Sequence, residues 1–539
     1  MLGLAVVALN AALTFYDFWP TPMVRWQGEV SVELAAALVL LGALGRRPGG
    51  VPGRVVGGLS ALWVLMAVGR YVHVTVMALF GRPINIYWDA QHLGAVADMM
   101  TDAKPALLLV GIVGAVGLVL FILYRLMRWG FRHVAAAAAS PGERRVLLVL
   151  ASAVILLYGA QLAGAFGENG HPVSEPVSRV YARQGGIFVR QVLAFGGVGA
   201  LPRPSLESSL AGVRGADVLL VFMESYGAVT YDRGEFREPL APARTRFAAD
   251  VAASGRQVVS AFVTSPTFGG SSWLAHVSLM SGVEVRNEET NAVLMSQRDR
   301  DTIVATFGRA GYHAMAVMPG LSSEWPEGAF YRFARINGEL SLQYQGPQFG
   351  WWAIPDQYAI GMIDRLDPRP DAGPRRFVFF PTTSTHAPFG PTAPYQPDWT
   401  RLLSKEPYDE ADVERAFEHQ PEWLDLGPSY VNAVAYALTS FGGYLRHQRG
   451  RDLVMVLIGD HQPASAVSGE GASWDVPVHI VTNRPEIVQR LVARGFTPGM
   501  NPVRASLGPM HTLTRTLLDV FDPPVSVPAT PPAAATAGR

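Results

Sequence analysis

The 539-residue chain is long enough for roughly two to four domains, or for one membrane unit joined to one soluble domain. Lys+Arg and Asp+Glu number 44 each, and a formal charge of zero excludes the basic excess of a dedicated nucleic-acid binder. Only 16% of residues are charged against 49% hydrophobic, which puts part of the chain in lipid, and the absence of Cys rules out disulfides, thiolate metal sites and a cysteine nucleophile.

Five apolar stretches lie in the first third, at about 2–19, 30–45, 55–80, 105–124 and 146–166. Each is near the length that crosses about 30 Å of hydrocarbon, so residues 1–166 read as a five-span membrane module. The first stretch lacks a basic start and a small-residue cleavage site, which makes it a retained helix rather than a signal peptide. Orientation follows from positive charge. Arg46, Arg47 and Arg54 follow the second stretch, and Arg125, Arg128, Arg132, Arg144 and Arg145 follow the fourth. The other connections carry only Arg25, or Arg82 and Lys104. The basic segments are expected in the cytoplasm, together with the N-terminus. The chain then reads as a multi-pass protein of a bacterial inner membrane, with everything after the fifth span on the periplasmic or extracellular side. Arg70 and His73 fall within the third stretch, where a charge is costly enough to require a carboxylate partner, an escape to the interface or a lipid headgroup.

Residues 167–210 scatter Gly, Pro and Arg through a weakly amphipathic segment and read as an interfacial linker. From 211 to 521 the pattern is that of an α/β domain. Apolar, β-rich runs recur at 216–223, 256–263, 312–318, 375–383, 453–459 and 476–482. Helical segments are expected at 303–310, 355–366 and 428–448. Continuous apolar strands alternating with helices predict a mostly parallel sheet covered by helices on both faces. The tail, 522–539, is rich in Pro and Ala and is expected to be disordered.

Ligands of such sheets collect outside the carboxyl ends of the strands, and polar residues gather there. The run 216–223 ends at Glu224, the run 453–459 leads into Asp460 and His461, and the run 375–383 leads toward His386. A turn-rich segment, SPTFGGSSWLAHVSLMSG, brings Ser271 and Ser272 just ahead of an expected helix. Two carboxylates and an imidazole suit Mn2+, Zn2+ or Mg2+. A hydroxyl as fourth ligand would be activated as a nucleophile, and the helix N-terminus would favour a phosphoryl group. His276, His479 and His511 receive no role from the sequence.

These residues resemble the alkaline phosphatase/sulfatase superfamily. Within it they resemble the membrane-anchored branch of lipoteichoic acid synthases and phosphoethanolamine or phosphoglycerol transferases. VFMES matches the family's first metal-ligand strand at Glu224, STHAPF its substrate-side histidine at His386, and IGDHQP its metal pair at Asp460 and His461. The nucleophile of the family precedes a Ser/Thr-Gly pair by nine residues, and Ser281-Gly282 then selects Ser272. The family's Trp-x-Arg element for glycerol phosphate has its counterpart in SSEWPEGAFYR. That segment keeps Trp325 but holds Glu327 in place of the Arg, with Arg332 as the substitute. Leu274 and His276 stand where formylglycine processing requires Pro and Arg, which disfavours a sulfatase.

The resemblance implies one divalent metal ion, Mn2+ with Zn2+ or Mg2+ as alternatives, on Glu224, Ser272, Asp460 and His461. It also implies a phosphotransferase with a Ser272 covalent intermediate, acting from a phospholipid donor to a lipid or periplasmic glycan hydroxyl. The alternative is a phosphodiester or sulfate-ester hydrolase with the same site and water as acceptor.

Overall fold

The computed structural model describes residues 1–18, 21–80, 83–90, 106–166, 171–193, 199–368, 375–469 and 471–522. Arg82, Lys104, parts of the 167–210 segment and the tail from 523 lie outside the described residues. The chain divides into two compact units, Met1–Gly197 and Val198–Arg539.

In the first unit three helices are long and apolar enough to cross a membrane: Gly53–Ala78, Val110–Ala139 and Pro141–Leu162. The other two expected spans are shorter apolar helices, so among the described residues three of the five expected spans have that length. Leu2–Ala11 has 10 residues and Val32–Leu44 has 13, or about 15 and 20 Å of helix. The reason lies in the residues that follow each. After Leu13 the β-branched and aromatic run Thr-Phe-Tyr-Asp-Phe leaves the helix and forms β1 (Phe15–Phe18), paired antiparallel with β2 (Thr21–Trp26). Trp26 Nε1 donates to the Ala11 carbonyl at 2.8 Å and closes the first helix. The second helix stops at Gly45, where an added Cβ would lie 2.4 Å from the Ala138 carbonyl oxygen.

The short helices still pack into the bundle. Leu9, Leu38, Trp63, Phe131 and Leu147 share one core, and Trp63 Nε1 donates to the Leu9 carbonyl at 2.9 Å. The segment expected as a linker contains a 17-residue helix, Val177–Leu193. Its Tyr181 donates to the Leu65 carbonyl at 2.8 Å, and its Gln184 holds Ile84 and Ile86.

The second unit is built on a nine-stranded sheet. Its strands are β3 (Asp217–Met223), β4 (Gln257–Thr264), β5 (His313–Val317), β6 (Arg335–Asn337), β7 (Arg376–Pro381), β8 (Leu453–Gly459), β9 (Asp475–Thr482), β10 (Thr497–Pro498) and β11 (Ser506–Pro509). The spatial order is β10-β4-β9-β8-β3-β7-β5-β6, with β11 beside β4. Five strands, β6-β5-β7-β3-β8, run parallel, but β9 runs against both β8 and β4, so the sheet is mixed. The 460–474 connection holds, among the described residues, the four-residue helix Ser465–Ser468, and the chain returns as β9 antiparallel beside β8.

Both faces are covered. Along β3, Leu219, Val221 and Met223 join a core under helices Gly234–Ala253 and Gly427–His447. Val218, Leu220 and Phe222 join a second core under helices Ser272–Ser281, Ile303–Arg309 and Met510–Phe521. All seven residues of β3 are buried, each large apolar side chain contributing about 1.5–3 kcal/mol. Because β3 after Asp217 and all of β8 are apolar, the next polar residues fall just past their ends, where Met223 pairs with Gly459.

Candidate active site

Glu224 follows β3, and Asp460 and His461 follow β8, so the parallel pairing delivers both carboxylates to one sheet edge. Gly459 permits this convergence, since a Cβ there would lie 1.9 Å from the Tyr226 carbonyl oxygen. One ligand atom from each of Glu224, Asp460 and His461 lies within 4.8 Å of the others. Ser272 joins them from the first position of helix Ser272–Ser281. Its Oγ donates to Glu224 Oε2 at 2.8 Å and lies 3.1 Å from His461 Nε2.

The surrounding backbone fixes these side chains. His461 Nδ1 donates to the Gln462 carbonyl at 2.7 Å, which leaves Nε2 as the nitrogen facing Ser272 and Glu224. Asp460 Oδ1 accepts from the amides of Ser225 (2.8 Å) and His461 (2.7 Å). The Glu224 amide donates to Thr382 Oγ1 at 2.9 Å, tying β3 to the loop after β7. Two non-glycine residues beside the ligands adopt left-handed backbone, Ser225 at φ 56° and Ser271 at φ 61°. Such strain persists only where neighbours hold it. Tyr430 does so at Ser225, donating to its carbonyl at 2.8 Å. Before Ser271 the chain turns through Gly269 (φ 68°) and Gly270 (φ 151°), conformations that favour glycine.

Charge in the cluster is strongly coupled. Burial drives the Asp460 carboxyl well above the usual range, and the Glu224 charge adds to it. Burial alone would raise Glu224 and lower His461, but attraction reverses both. The positive His461 holds Glu224 below its ordinary value, while Asp460 and Glu224 lift His461 to about 9. A positive charge is therefore favoured among these donors. Two carboxylates, an imidazole and a hydroxyl fit a divalent cation as well as they fit a proton.

His386 sits between two indoles, stacked on Trp351 (6.1 Å, 24°) and edge-on to Trp352 (5.9 Å, 79°). Its Nδ1 donates to the Ala387 carbonyl at 2.7 Å, leaving Nε2 available. The loop carrying it is clamped by Asp356, which accepts from the amides of Thr383 (2.7 Å) and Ser384 (3.1 Å). Sequence reasoning missed Asp356, Thr382 and Ser225. The Pro355-Asp356 start of a helix was the one available signal, and it reads as an ordinary helix opening.

Trp325 and Arg332, singled out for substrate, have partners of their own. Arg332 donates to the carbonyls of Arg298 (3.0 Å) and Arg300 (3.2 Å). Trp325 packs on Tyr331 and Phe333 and lines a cavity of about 740 Å³ with Leu321, Ile336 and Leu340. No hydrogen bond or ring contact joins either residue to the cluster among the described residues. His276 lies against Phe222 at 4.4 Å, and His479 is fully buried between Ser260 and Tyr226.

Residues 216–479 match the family model described as Sulfatase. No curated protein matches the chain. Among solved structures, the integral membrane lipooligosaccharide phosphoethanolamine transferase A (EptA) from Neisseria meningitidis aligns over 96% of this chain and 95% of its own, at 12% identity and TM-score 0.48. The lipoteichoic acid synthase LtaP from Listeria monocytogenes aligns over 52% of this chain and 69% of its own, at 14% identity and TM-score 0.35. The phosphoglycerol transferase GacH from Streptococcus pyogenes aligns over 60% and 94%, at 12% identity and TM-score 0.34. The family match runs from just before β3 into β9, so the second unit of this chain carries a region similar to the sulfatase family.

Proposed function

We propose that the protein is a membrane-anchored, metal-dependent phosphotransferase that moves a phospholipid headgroup phosphate through Ser272. The observation that carries the reading is the Ser272 hydroxyl at a helix start, within hydrogen-bond distance of both Glu224 and His461. Glu224, Asp460, His461 and Ser272 Oγ would hold the cation, Mn2+ first among Mn2+, Zn2+ and Mg2+. A bound divalent cation lowers the pKa of the serine hydroxyl and offsets charge on the phosphate oxygens.

Ser272 Oγ, its proton directed at Glu224, attacks phosphorus. The phosphorus–oxygen bond to diacylglycerol breaks, and His386 supplies the proton to the departing oxygen. The N-terminal amides of helix Ser272–Ser281 favour the phosphoryl group, and Ser271 makes no side-chain cap there to compete. An acceptor lipid or glycan hydroxyl then attacks the phosphorus, its proton passing to His386 left neutral by the first step, and the bond to Ser272 Oγ breaks as that oxygen regains its proton from the Glu224 side. The apolar spans on the same polypeptide support a lipid donor by proximity. The basic segments at 46–54 and 125–145 support an outer domain on the periplasmic side. Three crossings leave that orientation as five would, because both counts are odd.

The test is intact-mass spectrometry of the full chain after incubation with Mn2+ and mixed phospholipids, beside Ser272→Ala. A headgroup-phosphate adduct that requires Ser272 is expected. Free headgroup accumulating without an adduct favours the hydrolase, with water as acceptor.

A further inference from the structure

The chemistry above takes the departing oxygen's proton from His386 but leaves open what fixes that imidazole. Asp356 is the first residue of helix Asp356–Gly361 and is 0% exposed. Its carboxylate is spent on one turn of the loop after β7, where Oδ1 accepts from the Thr383 amide and Oδ2 from the Ser384 amide. Two bonds return from the turn. Ser384 Oγ accepts from the Asp356 amide at 3.1 Å, and Thr383 Oγ1 donates to the Ile354 carbonyl at 3.2 Å.

The turn, once held, fixes the ring. The His386 amide donates to the Thr383 carbonyl at 3.1 Å, and Nδ1 is tied to the carbonyl of the next residue, Ala387. Trp351 and Trp352, the two indoles against the imidazole, belong to the segment that ends at Asp356. Residues 351–356 therefore set both the backbone and the ring of His386.

Holding a turn does not by itself require a charge. Burial pushes the Asp356 carboxyl up to about 6, while the amides and hydroxyls of Thr383 and Ser384 hold it down. It is ionised at neutral pH, and among the described residues its hydrogen-bond partners belong to the turn, with no cation set against it. A charged acceptor makes a hydrogen bond roughly twice as strong as a neutral one, at the cost of a buried charge. That cost is matched to a general acid, because a displacement of about 1 Å loses on the order of a hundredfold in rate. We propose that Asp356 is a positioning residue for the transfer, holding His386 Nε2 at the departing oxygen without touching the substrate itself. This inference rests on the role given to His386 above.

The test compares two leaving groups on the full-length protein with Mn2+. One is diacylglycerol released from mixed phosphatidylglycerol and phosphatidylethanolamine, and the other is nitrophenolate released from bis(p-nitrophenyl) phosphate. An alkoxide needs a proton to depart, whereas nitrophenolate leaves without one. Asp356→Asn keeps the size of the side chain but turns N–H groups toward the amide donors. It is expected to lower phospholipid turnover about a hundredfold and aryl ester turnover about fivefold. His386→Ala should show the same imbalance, and the double variant should be no slower than His386→Ala alone. Ser384→Ala removes only the return bond from the Asp356 amide, at a partly exposed position, and decides the matter if Asp356→Asn does not fold. It is expected to lower phospholipid turnover about fivefold more than aryl ester turnover. Equal losses on the two esters, or losses that multiply in the double variant, overturn the inference. Turnover that survives Ser272→Ala sinks the proposed chemistry, whereas Ser272-dependent turnover with equal losses sinks this inference alone.

Discussion

His479 has no titratable work to do, yet it carries a consequence for acid stability. Its ring is fully buried, with Nδ1 2.6 Å from Ser260 Oγ and Nε2 3.1 Å from the Tyr226 hydroxyl. Burial, with Arg244 nearby, holds it down to about 3. In the unfolded chain an ordinary histidine titrates near 6.5, so between those values the unfolded state binds more protons. Its neutral ring is fully compatible with folding above about pH 6.5, and stability is lost as the pH falls toward 3, by about 1.4 kcal/mol per unit. The urea midpoint of the full chain in detergent should fall between pH 7 and 5, and the fall should be shallower in His479→Gln. An equal fall in both proteins would remove His479 as the cause. Tyr226 links this ring to the catalytic edge, since its carbonyl is the group packed against Gly459.

At the scale of elements, β3 and β7 are locked at their starts by an ion pair. Arg376 Nη2 is 2.8 Å from Asp217 Oδ2, and each residue is 3% exposed. Arg376 also reaches Asp364 at 2.8 Å, and Arg451 joins the same carboxylate at 2.7 Å. Removing one partner of a buried pair strands the other, so Arg376→Leu should cost about 3–5 kcal/mol. Arg376→Leu with Asp217→Leu should recover part of that loss, as read from denaturation midpoints. If the double variant is no more stable than the single one, the cost belongs to packing. Both residues could be read as strand flanks in the sequence, but their pairing needed the sheet order.

The same distinction explains what the sequence made legible. The runs of β3, β4, β5, β7, β8 and β9 are mostly apolar on both faces, and their ends could be placed to within a residue or two. Ser272, Glu224, Asp460 and His461 were therefore legible as strand-end and helix-start residues. Asp356 was not, because its partners Thr383 and Ser384 lie across a fold contact that no local pattern encodes. Hydropathy likewise counted residues 2–19 as one span, whereas the Trp26–Ala11 hydrogen bond and the β1–β2 hairpin that end the helix depend on pairing between segments.

For the whole molecule, the lack of cysteine makes the proposed orientation directly measurable. Ser140 lies between the second and third long helices, and Ser404 is an exposed residue of the second unit. In intact cells stripped of any outer barrier, Ser404→Cys should react with a membrane-impermeant maleimide and Ser140→Cys only after permeabilisation. The reverse pattern would put the outer domain in the cytoplasm.

The pairing of β3 with β8 has a further consequence, for the order of events in the life of the chain. Ser225 and Asp460 are joined by a hydrogen bond across 235 positions of sequence, and Glu224 and His461 flank that link. A contact this distant closes late, after most of the domain has been synthesised and collapsed. No nascent fragment that stops before residue 460 holds both carboxylates, so the proposed metal seat is incomplete until the sheet is nearly finished. Binding then acts by mass action on the finished fold alone. The ion taken up by the proposed site would thereby be set by the free metals of the compartment in which folding ends, rather than by those of the compartment in which the chain is made.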